Sequence, residues 1–279
     1  MKVMALLVTY NPDIAELRRC IESICDQVQG IMLVDNASKK FEDIELCGKN
    51  YDVNILRNKK NLGIAEALNR GFDYARMHGY DWVLTLDQDS YCTYGIIEKF
   101  KKYTNDDNVG IVSALEIDRN SVKKKRIGFV CEEIDRCITA GSLIRIVAWE
   151  KVNGYDTRLF IDYVDFDFCM RLRIAHWKIL RVNTAIIINS LGKSTNRRLL
   201  FHNVSVSNHS ISRVYYLVRN WLYYIVQYHK NLNVLKELTK MLMYCIKTIV
   251  FSKNKSLVFK TIIKGMKDSC KIAISSRKQ

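Results

Sequence analysis

A chain of 279 residues with 48% hydrophobic and 10% aromatic side chains can bury a sizeable core and is not a disordered polymer. Its formal net charge of +15 implies an acidic partner: nucleic acid, anionic lipid or a phosphorylated substrate. Nine cysteines with no C-x-x-C pair and no metal-ligand spacing exclude a zinc module and read as reduced thiols of a cytosolic protein, mostly small core residues.

The first 90 residues alternate strand and helix patterns. The segment 2–10, KVMALLVTY, reads as a buried strand that meets Tyr10-Asn11-Pro12 at once, too short an apolar run for a secretory leader. Ile14, Leu17, Ile21 and Ile24 then recur at helical spacing. GIMLVDNAS (30–38) and YDVNILRN (51–58) are the second and third strands. Ile64, Ala67, Leu68, Gly71, Phe72 and Ala75 mark one face of a helix, and YDWVLTLDQDS (80–90) is the fourth strand. This alternation predicts an α/β fold with a mainly parallel sheet and flanking helices.

Three of these strands end in polar side chains: Thr9 and Asn11, Asp35 and Asn36, Asp87 and Asp89. In a parallel sheet such ends converge on one edge, where ligands bind. Asp87 and Asp89 are one residue apart with Gln88 pointing the other way, an arrangement that suits a hard divalent cation bridging phosphate oxygens. Taken alone, the D-x-D pattern reads as a strand end capped by solvated acids, and Asp165 with Asp167 repeats it.

From 91 to 190 the pattern is mixed. Asn105 to Asn108 and Lys123 to Arg126 read as exposed loops, and 138–149 reads as strand, then helix. The end of the chain differs. From Arg219 to Gln279 there are thirteen Lys and Arg against two acids, Glu237 and Asp268. Lys236, Lys240 and Lys247 share one helical stripe; Lys260, Lys264, Lys267 and Lys271 share another, opposite Val258, Phe259, Ile262, Ile263 and Met266. These are basic amphipathic helices. They suit an anionic membrane surface, or else a helical appendage with a solvated lysine face. No run reaches the ~18 apolar residues that span a bilayer.

Taken in order, LLVTYNPD, LVDNAS, NKKNLGIAEALNRG and LTLDQDS resemble the nucleotide-sugar half of an inverting family 2 glycosyltransferase of GT-A fold, over residues 1–225. FIDYVDFDFCMR (160–171) and NHSISRVYYLVRN (208–220) resemble signatures of its bacterial rhamnosyltransferase branch. The resemblance implies a GT-A domain at 1–225, with its nucleotide-sugar half at 1–90 and its acceptor half at 91–225, followed by a basic helical extension at 226–279. It implies that Thr9, Asn11, Asp35, Asn36, Gly63, Asn69 and Asp87 line the donor, Asp35 accepting a hydrogen bond from a pyrimidine imide. Asp87, Asp89 and His209 would ligate Mn²⁺ or Mg²⁺. Arg213 and Arg219 would clamp the diphosphate, and Asp165 would be the catalytic base.

The chain departs from the family pattern at Val164, where the wider family has Glu, at Asn189, where it often has His, and at Ile211, where the branch often has Pro. Asn189, His209 or water could therefore complete the metal site.

The implied activity moves L-rhamnose from dTDP-rhamnose, with inversion, onto a lipid-diphosphate-linked glycan for a cell-surface polysaccharide. The implied place is the cytoplasmic side, peripheral at the inner face of the plasma membrane. A UDP-hexose is the alternative donor, because uracil and thymine share the imide edge. A catalytically silent membrane scaffold is the alternative of another class. Nucleic acid is not expected as a partner: the basic residues lie on amphipathic helices and are not interleaved with aromatics along a groove.

Overall fold

The computed structural model describes residues 1–119, 129–189, 194–199, 202–207 and 209–276. The basic run Lys123 to Arg126, the Leu191-Gly192 turn and Asn208 lie outside the described residues. Two compact units are present, Met1–Thr157 with Val164–Ser190, and Arg158–Tyr163 with Leu191–Gln279.

In the first unit, β1 (Val3–Thr9), β2 (Gly30–Asp35), β3 (Asn54–Arg57) and β4 (Trp82–Asp87) pair in parallel. They alternate with α1 (Ile14–Glu22), α2 (Phe41–Lys49) and α3 (Ile64–Met77). Strands β1, β2 and β4 are apolar on both faces because helices cover both. Leu7, Leu33 and Leu84 are fully buried, and each such side chain contributes about 1.5–3 kcal/mol. Asp13 caps α1 by accepting from the amides of Ala15 and Glu16 at 2.9 and 3.2 Å. Gly71 lets α3 lie directly on β1: a Cβ there would stand 2.2 Å from a methyl carbon of Leu6.

The sheet continues through β5 (Tyr91–Cys92), β6 (Val109–Asp118), β7 (Cys131–Glu133), β8 (Ser142–Arg145) and β9 (Lys178–Asn189). Among the described residues the strand order is β3-β2-β1-β4-β8-β6-β9-β5, with β7 beside β9. Strand β8 is antiparallel to both β4 and β6, and β9 is parallel to β6. Strands β6 and β9 thus run in the same direction as β1, β2 and β4, and all five end on one edge. Between the strands lie α4 (Ile96–Lys101), α5 (Ile146–Lys151) and α6 (Val164–Ile174). The strand-then-helix reading of 138–149 matches β8 and α5. All nine cysteines are free thiols.

The second unit contains the hairpin β10 (Ser194–Leu199) and β11 (His202–Ser207) and the helices α7 (Ile211–Gln227), α8 (Val234–Phe251) and α9 (Lys255–Ser276). Val214, Val218 and Ile225 of α7 pack with Met241, Cys245, Val258 and Ile262 of α8 and α9. Trp221 donates to Glu237 at 3.1 Å and Tyr215 to Asp268 at 2.9 Å, so each acid of this region ties one helix to α7. The expected apolar face of α9 is therefore largely spent on the core, with Val258 and Ile262 buried while Phe259 stays 54% exposed.

Candidate active site

The β1–β2 register sets Thr9 opposite Asp35, and the β1–β4 register sets Val8 opposite Asp87. The polar ends expected to converge do so, and Asp118 of β6 and Asn189 of β9 join the same edge.

Asp35 is fully buried. Its Oδ1 accepts from the Thr9 hydroxyl at 3.0 Å and from the Ser38 hydroxyl, and its Oδ2 accepts from the Ser38 amide at 2.9 Å. Burying a carboxylate is tolerated when its lone pairs are filled in this way. Ser38 also accepts from the Asn11 amide at 2.7 Å, and Asn11 Oδ1 accepts from the Lys39 amide at 2.9 Å. Asn11 adopts φ 47, a left-handed conformation that Asn tolerates. One hydrogen-bonded network thus holds the exits of β1 and β2 together. Ser38 gave no signal in the sequence beyond its place in the loop after Asp35. Beside it, Asn11, Pro12, Ile14, Ser38, Lys39, Lys40 and Asp43 line an open pocket of about 390 Å³, within the range of small-molecule sites.

Asn36 turns the other way. Its amide donates to the Gly63 carbonyl at 3.1 Å, and its oxygen accepts from Asn58 at 2.8 Å. Gly63 precedes α3 with φ 85, a conformation that disfavours any side chain. Asn69 Oδ1 accepts from the Tyr155 amide at 2.7 Å and from the Trp149 indole at 3.2 Å, and its Nδ2 donates to the Tyr155 carbonyl at 2.8 Å. The role the structure gives Asn69 is to hold the 149–155 segment.

At the end of β4, the Asp87 carbonyl accepts from both the amide and the hydroxyl of Ser90, at 3.1 and 2.9 Å, closing a tight turn over 87–90. Gln88, in that turn, accepts from the Tyr10 amide at 2.9 Å, tying the exit of β4 to that of β1. Asp89 is partly buried, and burial pushes its carboxyl above the usual carboxylate range, with Arg119 pulling the other way. Arg119 donates to the Asp89 carbonyl at 3.2 Å and grips Glu16 through two bonds of 3.1 and 2.8 Å. Its own amide donates to the Asn189 carbonyl at 3.0 Å. Arg119 and Glu16 were not singled out from the sequence, because their partners lie 103 residues apart.

Carboxylate oxygens whose charge is partly deprived of water are what a hard divalent cation stabilises. The donor set of Asp87 and Asp89 fits Mg²⁺ or Mn²⁺. Among the described residues no group of three or more His, Cys, Asp or Glu is placed to hold a metal.

Asp165 lies in the first turn of α6, where the helix N-terminus favours negative charge, and its Oδ1 accepts from the Phe166 amide at 2.9 Å. Asp167, buried, pairs with Arg171 at 2.8 Å across one turn, and Arg171 also donates to the carbonyls of Val152 and Gly154. Asp167 and Arg171 are thus an i, i+4 ion pair within α6.

In the second unit, both signature stretches meet. Arg213 grips Asp162 with Nη2 at 3.0 Å and Nε at 3.3 Å. Asn220 donates to the carbonyls of Ile161 and Asp162 at 2.8 and 2.9 Å, and Arg219 donates to the Arg158 carbonyl at 2.8 Å. Tyr216 stacks on Phe160 with ring centroids 5.0 Å apart. These contacts hold Asp162 and Tyr163 at φ 64 and 66, two consecutive left-handed residues, and strain of this kind persists only where surroundings enforce it. Arg213 and Arg219 thus brace the 158–163 segment. His209, just ahead of α7, has its pKa lowered by burial and by the Arg213 charge, against a raising pull from Asp162. It is therefore biased toward the neutral, ligand-competent imidazole.

Parallel strands delivering Thr9, Asp35 and Asp87 to one edge, flanked by antiparallel β8 and followed by a separate helical unit, define a GT-A architecture. The model of the family described as "Glycosyl transferase family 2" matches residues 5–172, and the chain belongs to that family. It is a glycosyltransferase. It is similar to the dTDP-rhamnosyl transferase RfbF of Shigella flexneri, 26% identical over 275 residues that cover 91% of this chain and 90% of the relative. Among solved structures it is similar to S. aureus TarS residues 1–349 in complex with UDP-GlcNAc. The TM-score is 0.61 at 14% identity, covering 96% of this chain and 80% of that one. It is also similar to the mannosyltransferase PcManGT of Pyrobaculum calidifontis in complex with GDP-Man and Mn²⁺. Here the TM-score is 0.63 at 10% identity, covering 98% of this chain and 87% of that one.

Proposed function

We propose that this glycosyltransferase moves L-rhamnose from dTDP-rhamnose, with inversion, onto a lipid-diphosphate-linked saccharide of a cell-surface polysaccharide. The observation that carries the reading is the edge formed by Thr9, Asp35, Asp87 and Asp89, taken with the length-wide similarity to a dTDP-rhamnosyl transferase.

In this reading Thr9, Asn11, Asn36, Gly63 and Asp87 shape the donor site. By count, the Asp35 carboxylate has one acceptor position left, on Oδ2, for the imide N–H of thymine. Because Asp35 is covered, the loops carrying Asn11 and Ser38 part to admit the base. Asn69 supports the segment 149–155 that precedes the acceptor side. Asp87 and Asp89 would hold Mn²⁺ or Mg²⁺, with Asn189 or water completing the site, while Arg213 and Arg219 brace the 158–163 segment. The bound cation supplies charge neutralisation for the departing diphosphate. Asp165 takes the proton of the acceptor hydroxyl as that oxygen bonds to C1 of the sugar. The C1–O bond to diphosphate breaks on the opposite face, and dTDP leaves. One positioned base of this kind contributes about 10²–10⁴-fold.

The enzyme works peripherally, at the cytoplasmic face of the membrane where such acceptors lie. The one-sided charge of α8 and α9 supports that place, and no helix among the described residues is long and apolar enough to cross a membrane.

The test is release of dTDP from dTDP-rhamnose in the presence of a lipid-diphosphate saccharide, with UDP-galactose in parallel. Turnover of dTDP-rhamnose that falls at least a hundredfold in Asp165→Asn, with donor affinity kept, supports the reading. Turnover of UDP-galactose alone replaces the rhamnosyl donor with a hexosyl one.

A further inference from the structure

Helix α8 leaves one apolar face uncovered. Glu237, Met241 and Cys245 turn into the helical core. Leu235, Leu238, Leu242, Met243, Ile246 and Val250 are 77, 38, 58, 46, 40 and 42% exposed. At 3.6 residues per turn these six fall within an arc of about 140°. Lys236, Lys240 and Lys247 follow along one border of that arc. The solvent face of an ordinary packed helix is polar, whereas within this arc Thr239 is the one exposed polar side chain, and its hydroxyl is turned onto the Leu235 carbonyl at 2.8 Å. Helix α9 is built the other way: its apolar Val258 and Ile262 are buried and its lysines stand in solvent.

We propose that the exposed stripe of α8 docks the protein on an anionic lipid bilayer. The helix lies in the plane of the interface, with Leu242, Met243 and Ile246 reaching the acyl boundary and the bordering lysines on phosphate headgroups. The inference deepens the lipid-linked acceptor reading and rests on it for its biological setting. Charge decides between a bilayer and a second copy of this chain. Glu237 is the one acid in α8, and it is already paired with Lys240 at 2.8 Å. Two copies joined through this stripe would bring Lys236 and Lys247 of each copy together with no further acid in α8 to answer them, whereas an anionic surface answers both.

The test is flotation of the full chain with vesicles of phosphatidylglycerol and phosphatidylcholine, and with phosphatidylcholine alone. Wild type, Leu242→Ser/Ile246→Ser and, on α9, Lys260→Ser/Lys264→Ser are compared, with circular dichroism melts to confirm folding. Wild type is expected to float with the anionic vesicles only. The α8 variant is expected to lose at least tenfold in partitioning, and the α9 variant less than threefold.

Wild type that stays unbound to anionic vesicles overturns the proposal. So does an α8 variant that binds as well as wild type, or a wild-type dimer that this variant turns into monomer. Donor binding measured without vesicles separates the two readings. If vesicle binding is absent while dTDP-rhamnose still binds, only the docking surface is lost. If vesicles bind and no sugar nucleotide does, only the functional reading is lost.

Discussion

Thr9 and Asp35 stand directly opposite each other in the β1–β2 register, and the Thr9 hydroxyl donates to the Asp35 carboxylate at 3.0 Å with both residues fully buried. The bond closes the two strand exits over one another. Asp35→Ala would leave the Thr9 hydroxyl and the Ser38 amide and hydroxyl without their acceptor, and each buried unpaired group costs about 1–3 kcal/mol. Urea unfolding should therefore show a loss of about 3 kcal/mol or more, with Asp35→Asn intermediate. Unchanged stability in Asp35→Ala would mean that the network carries no weight.

Gly63 opens α3 at φ 85 and carries the carbonyl that Asn36 binds. Gly63→Ala should destabilise by about 1–2 kcal/mol, the cost of a side chain in left-handed backbone. Because Asn36 also ends the donor edge, dTDP-rhamnose affinity should fall along with the melting temperature. A melt that shifts with unchanged affinity would separate α3 from the donor site.

Burial raises the Asp89 carboxyl above its unfolded value. An acid with a raised folded pKa binds more protons when folded, so stability falls as pH rises from the unfolded pKa through the folded one. In EDTA, Asp89→Asn should therefore melt higher than wild type at pH 7, and the gap should close in acid below the ordinary carboxylate pKa. The same variant should lose metal-dependent donor binding, since function here opposes stability. Melting curves from pH 3 to 8 check it, and a variant less stable than wild type at pH 7 would contradict it.

Arg213 and Asp162 are joined by a two-armed ion pair, with the Asp162 side chain 13% and the Arg213 side chain 48% exposed. Partial exposure limits the pair to about 1 kcal/mol. A double-mutant cycle of Arg213→Ala and Asp162→Ala should return a coupling of that size in unfolding free energy. It should also return a larger non-additivity in kcat, because both singles release the same 158–163 segment. Additive effects on kcat would give Arg213 a separate role at the diphosphate.

Much of the donor edge was legible because parallel strands leave a plain record. Four apolar runs, each followed by polar residues, place Thr9, Asp35 and Asp87 together once the strands are parallel. The contacts that position those residues were not legible. Asn69 is a helix-face residue in sequence, yet its partners Trp149 and Tyr155 lie 80 and 86 residues on. Arg119 lies just past the end of β6, in a stretch of mixed pattern, and nothing local announces Glu16 as its partner. The pairing of Arg213 with Asp162 spans 51 residues. Helical periodicity marked both C-terminal helices as amphipathic without telling which apolar face the core consumes. Packing on α7 settles that: α9 spends its face and α8 keeps its own exposed.

The most direct measurement is calorimetric titration of the protein with dTDP-rhamnose, UDP-galactose and UDP-glucose. Each is run with Mn²⁺ and then with EDTA, on wild type and Asp89→Ala. Binding of dTDP-rhamnose in preference to both UDP-sugars is predicted, dependent on Mn²⁺ and lost in Asp89→Ala while the variant remains folded. Metal-independent binding, or binding kept by Asp89→Ala, would contradict the account of the β4 carboxylates.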